Sequence, residues 1–114
     1  MQVTRLKDAK TYEAAKHFNM EAYRLQGMEA TDLDSFSCGL SYFSPGGGAE
    51  RSASANEKVY VVLEGEITVI TDEGEETLGP LDSCVIGVNE YRAVENRADT
   101  TCTMLVIISK NIEA

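Results

Sequence analysis

A chain of 114 residues, 43% hydrophobic and 25% charged, reads as one globular domain able to bury a core without disulfide or metal staples. Its 19 acidic and 10 basic side chains leave a net charge of −9, which argues against nucleic acid and anionic membranes as partners, because an acidic surface gains nothing from counterion release. No apolar run approaches the roughly 18 residues of a membrane helix, and Met1-Gln2-Val3-Thr4-Arg5 lacks the apolar core of a signal peptide, so a cytoplasmic location is expected.

Residues 1–19 hold one short apolar segment around Val3 and Leu6 and then a mixed stretch, expected to form a short arm across the domain or onto a partner subunit. Met20 to Leu25 alternates as a strand does, and Gln26-Gly27 ends it. From Ser35 to Phe43 the alternation is the clearest in the chain: Phe36, Cys38, Leu40 and Tyr42 share one face, Ser35, Ser37, Gly39 and Ser41 the other. That pattern predicts a half-buried strand. Pro45 is then expected to stop the strand, and Gly46-Gly47-Gly48 to bend the chain. The triple glycine is not read as a phosphate cradle, because no Lys-Ser or Lys-Thr and no helix follow it.

Val59 to Leu63 and Ile67 to Ile70 are β-type runs separated by Glu64-Gly65-Glu66, most simply the two arms of a hairpin. Thr71 to Glu75 is a hairpin tip, Ser83 to Ile86 and Arg92 to Glu95 are short strands, and Thr101 to Ser109 is a long one. Met104 to Ile108 is apolar on both faces, which places this last strand centrally in its sheet. Many short strands with turn signals between them, and no room for βαβ units, mean an all-β sandwich or barrel. The cysteines, Cys38, Cys84 and Cys102, are odd in number and far apart. They read as small buried hydrophobes in a reducing compartment.

The frame from Gly46 to Gly65, closing on Tyr60-Val61-Val62-Leu63-Glu64-Gly65-Glu66, resembles the first motif of the cupin family, in which a glycine precedes a His-x-His pair, a Glu and a second glycine. Leu81 to Asn96 matches the length of the second cupin motif, with Gly87 at its proline, Asn89 at its glycine, Arg92 at its histidine and Asn96 retained. The resemblance covers about residues 35–109. It implies a single cupin domain over residues 1–114, a double-stranded β-helix or jelly-roll barrel with a short N-terminal arm.

Cupins hold a divalent metal with the His-x-His pair, the Glu and the second-motif His. Here those positions carry Ser52, Ser54, Lys58 and Arg92, two weak ligands and two cations that cannot donate a lone pair while protonated. The only histidine is His17, outside both motifs, and is expected at the surface or an interface. No metal and no cofactor are therefore expected. Lys58 and Arg92 would converge in the barrel mouth and require an anion between them, either Glu50, Glu57 or Glu90 of the chain or a carboxylate or phosphate ligand. Ser52, Ser54 and Tyr60 would add hydroxyl groups to the same site. A one-residue slip would turn Glu57 inward and Lys58 outward, and the sequence leaves that choice open.

The functional expectation is metal-independent binding of a small anionic, carboxylate-type molecule, by a sensor or accessory protein or a non-redox enzyme of isomerase or lyase type. Catalytic candidates are Glu57, Lys58 and Tyr60; ligand-binding candidates are Ser52, Ser54, Lys58, Tyr60 and Arg92. Against this stand a divergent metal-dependent oxygenase or isomerase using His17, Glu50 and Glu57, and a structural or partner-binding role. In the plainer reading Lys58 and Arg92 are surface cations, Ser52 and Ser54 polar strand residues, and Tyr42 and Tyr60 core or pocket lining. Edge strands and the apolar Phe18, Met20 to Leu25 and Met28 suggest a homodimer.

Overall fold

The computed structural model describes residues 1–110. After a single 3-10 turn at Leu6–Asp8, nine strands follow among the described residues: β1 Thr11–Tyr12, β2 His17–Gln26, β3 Phe36–Ser52, β4 Lys58–Glu64, β5 Ile67–Thr71, β6 Gly74–Leu78, β7 Ser83–Ile86, β8 Arg92–Glu95 and β9 Cys102–Ser109. They hydrogen-bond in the order β6-β5-β8-β3-β9-β4-β7, with β2 on β3 and β1 on β2, and all these pairings are antiparallel. The result is a nearly closed all-β barrel. Among the described residues no helix is long and apolar enough to cross a membrane.

The long strand β3 organises the barrel. Phe36 to Phe43 pairs with β9, and Gly48 to Ser52 pairs with β8, so one strand serves both sheets. Pro45 does not end it, contrary to expectation: Pro45 is exposed at the bend between the two pairing segments, where its missing N–H breaks no ladder. At Gly48 a Cβ would collide with the backbone carbonyl of Val94, so only glycine lets the strands close at this corner. Asn96 pins the bend. Its Nδ2 donates to the carbonyls of Phe43 and Thr100 at 2.9 Å each, its Oδ1 accepts from Ala98 N at 3.0 Å, and its backbone bonds Gly46 and Gly47. This is why an asparagine serves there: one buried side chain satisfies several backbone groups that the corner would orphan.

The hairpin expected between Val59 to Leu63 and Ile67 to Ile70 does not form. β4 pairs with β7 and β9, whereas β5 pairs with β6 and β8. Gly65, at φ +75°, turns the chain from one sheet into the other, and Thr101 O lies where its Cβ would be. The hairpin that does form is β5 with β6, through the Thr71 to Gly74 tip. β9 is central, between β3 and β4, as its two apolar faces require.

The two faces of β3 differ in what they meet. Ser37 and Ser41, on its small polar face, line the barrel cavity and are buried, while Cys38, Leu40 and Tyr42 turn to the other side of the sheet. Small inward side chains leave space. The apolar floor comes from Phe43, Val94, Met104 and Val106. Cys102 is fully buried and Cys38 and Cys84 half-buried, all three as free thiols. Burial raises the pKa of each, Cys102 to about 11 with Glu66 adding to the effect.

Candidate functional site

A cavity of about 700 Å³ opens between the two sheets, a volume suited to a small molecule. Alternation places its polar groups. On β4, Lys58 and Tyr60 point inward with Val62. Glu57 precedes the strand and is exposed, its backbone engaged with Ser109. The choice the sequence left open is thus made for Lys58, and Glu57 falls away as a pocket acid or base. On β8, Arg92 points inward beside Val94, and its partner in register on β3 is Ser52.

Arg92 is 3% exposed and Tyr60 2%. The guanidinium donates from Nε to Tyr60 Oη at 2.7 Å, and from Nη1 to Ser52 Oγ at 3.0 Å and to the Glu50 carbonyl at 3.2 Å. Every one of these acceptors is neutral. Nη2 has no partner among the described residues, and no carboxylate of those residues forms an ion pair with Arg92 or Lys58. None of the three expected counter-charges serves: the Glu50 side chain is exposed, Glu57 is turned away, and Glu90 accepts from Gly87 N at 2.9 Å in its own turn. Burial raises the Tyr60 pKa, with Arg92 opposing, so the phenol is protonated at neutral pH.

Lys58 is half-buried, and in register it lies opposite Ile86 on β7 and Ile108 on β9. Burial lowers its pKa, and the neighbouring Arg92 lowers it further. Ser54 lies past the end of β3, where its hydroxyl bonds the backbone of Asn56 at 3.2 and 3.3 Å and shapes the cavity rim. Asn56 Oδ1 is the one buried side-chain oxygen without a partner among the described residues.

His17, expected at the surface or an interface, lies in the cavity wall. β2 carries it opposite Ala49, its ring stacks on Phe43 with centroids 6.3 Å apart, and Nδ1 donates to Ala15 O at 2.8 Å. That bond leaves Nε2 as an acceptor. Burial lowers the His17 pKa, the bond to Ala15 opposing and Arg92 and Lys58 adding to the fall, so the ring is neutral at pH 7. Tyr12 of β1 is a second residue that sequence reasoning missed. It enters the cavity over Gly39, with the Arg24 guanidinium 3.7 Å from its ring centroid. No motif marks either residue, because both lie in the arm and its junction with β2. The unusual Gly39 within an alternating strand was the available hint, marking close approach by another group.

The model of the cupin domain matches residues 39–108. The chain belongs to the cupin family. It is 41% identical, over 96% of its length and 94% of the relative's, to a β-D-galactosidase of Mycobacterium tuberculosis. In fold this cupin is similar to a polyketide cyclase from Streptomyces resistomycificus (TM-score 0.83, 20% identity, 100% of this chain and 87% of that one). A sugar phosphate isomerase of the cupin superfamily from Silicibacter pomeroyi is also similar (TM-score 0.67, 22% identity, 79% and 60%). No three His, Cys, Asp or Glu side chains converge among the described residues. His17 does not meet Glu50 or Glu57 in the cavity.

Proposed function

We propose that this cupin binds a small, hydroxyl-bearing anion, a carboxylate of sugar-acid type, in the barrel cavity without a metal, and that any turnover is non-redox acid–base chemistry. Arg92 carries the reading. A buried guanidinium with only neutral partners costs several kcal/mol unless an anion joins it, and its free Nη2 edge can meet a carboxylate. Lys58 adds a second positive charge from the facing wall of the same cavity. Hydroxyls of a ligand would find Ser52, Tyr60 and the Nε2 lone pair of His17, and the apolar floor of Val94, Met104 and Val106 suits a carbon skeleton. Neutral His17 and protonated Tyr60 are an acceptor and a donor of protons, the pair that an isomerase or lyase step requires.

A second reading is hydrolysis of galactosides, favoured by the 41% identity to the mycobacterial enzyme. Glycoside hydrolysis ordinarily uses two facing carboxylates, whereas Glu13 is the one carboxylate on the cavity wall among the described residues, and it is exposed. Thermal shift with D-galacturonate, lactate and inorganic phosphate, set against neutral D-galactose, separates the readings. A ligand that binds only the folded state raises the midpoint. Stabilisation by the acids, lost in Arg92→Met, supports anion binding. Equal stabilisation of both proteins overturns it, and stabilisation by galactose alone, with cleavage of a chromogenic galactoside, establishes the second reading.

A further inference from the structure

We infer that Lys58 forms a covalent imine with the carbonyl carbon of a small oxo acid, or of the open-chain aldehyde of a sugar acid, while Arg92 holds its carboxylate. The inference rests on the anion-binding reading and names the substrate class for it. Lys58 differs from the other four lysines, Lys7, Lys10, Lys16 and Lys110, all of which are exposed. In register it lies opposite Ile86 and Ile108, its side chain lines the cavity, and no carboxylate among the described residues pairs with it. A lysine desolvated on an apolar shelf beside a second cation is the arrangement that makes an amine nucleophilic near neutral pH. The lowered pKa of Lys58 agrees, desolvation being the larger cause.

The step balances without any oxidant or metal. The Lys58 lone pair attacks the carbonyl carbon, and the C=O electron pair moves to oxygen, which takes up a proton. Nitrogen gives up one of its two protons and keeps the other, the oxygen takes a second proton and leaves as water, and the nitrogen lone pair forms the C=N bond of a protonated imine. Tyr60 and His17 line the same cavity, the phenol to give a proton to the departing oxygen and Nε2 to accept one from nitrogen. One water leaves, and the protonated imine then serves as an electron sink for loss of a proton or a carboxyl group at the adjacent carbon.

The test uses pyruvate and D-galacturonate as separate probes with sodium cyanoborohydride, followed by intact-mass measurement and peptide mapping. Reductive trapping of an imine adds the mass of the probe acid less one oxygen atom. The expected result is a single adduct on Lys58 that is absent in Lys58→Met and saturates with probe concentration. In Arg92→Met the saturating concentration should rise at least tenfold. Trapping by pyruvate alone assigns a short oxo acid, and trapping by D-galacturonate a sugar acid. If acids stabilise the wild type but no adduct reaches Lys58, the imine is refuted and anion binding stands. If no acid stabilises it and adducts scatter over the exposed lysines, both fall. A Lys58 adduct of unchanged saturation in Arg92→Met overturns the role given to Arg92.

Discussion

The Arg92 guanidinium and the Tyr60 phenol meet across 2.7 Å in the barrel interior, tying β8 to β4 by a bond in which Arg92 donates and Tyr60 accepts. Both side chains are almost wholly removed from solvent. Each therefore fixes the other, and the free edge of Arg92 is held toward the cavity.

Changing Tyr60 to Phe removes the acceptor and leaves a buried charged donor unpaired. We expect a loss of about 1–3 kcal/mol of stability, read as a lower urea midpoint at unchanged slope. A midpoint equal to that of the wild type would mean that water replaces the phenol.

Arg92→Met should weaken a bound carboxylate by about 2–5 kcal/mol, the cost of truncating one partner of a desolvated charge pair. Lys58→Met should weaken it less, since an ammonium on a flexible stem fixes geometry less well. Without ligand the two variants should diverge. Lys58→Met removes a cation that has no counter-charge among the described residues, and should raise the melting temperature at neutral pH. Arg92→Met orphans the Tyr60 hydroxyl and should not. Calorimetric titration and melting curves on both proteins check the pair.

The pH dependence of stability should carry a His17 component. Burial, with Arg92 and Lys58, holds its pKa below the usual 6.5. Below that pH the unfolded chain takes up a proton that the folded ring refuses, so stability present above about pH 6.5 is lost as pH falls through the folded value. His17→Gln should flatten the wild-type decline between neutral pH and about pH 5. Parallel curves for the two proteins would place His17 in solvent.

A second copy of this chain is the expected occupant of the outward face of the five strands β2, β3, β9, β4 and β7. Registered rows run Tyr23, Leu40, Leu105, Val61 and Cys38, Ile107, Val59, Val85 across it. These two rows carry no charge, so a contact made through them sets no like charges directly against each other. Sedimentation should show twice the chain mass at micromolar concentration. Val61→Lys with Leu105→Lys should restore the monomer, and a wild-type monomer refutes the arrangement.

Period-two alternation and turn residues were enough to locate most strands, because a strand half buried in a sheet must alternate wherever it lies. The central position of β9 was equally legible, from apolar side chains on both faces. The company of Lys58 with Tyr60, two residues apart on one strand, could also be read, because side chains two apart share a face. Strand pairing could not: whether Gly65 makes a hairpin or a passage between sheets depends on β8 and β9, far away in sequence, offering better partners. Nor could the inward face of β3, since serines line it where a cavity rather than a packed core is to be built. His17 and Tyr12 reach the site only because β2 and β1 fold back along β3, and the absence of a carboxylate beside Arg92 among the described residues is a fact of three-dimensional proximity. Local pattern determines which residues alternate; long-range pairing determines which of the two faces is inside and what meets there.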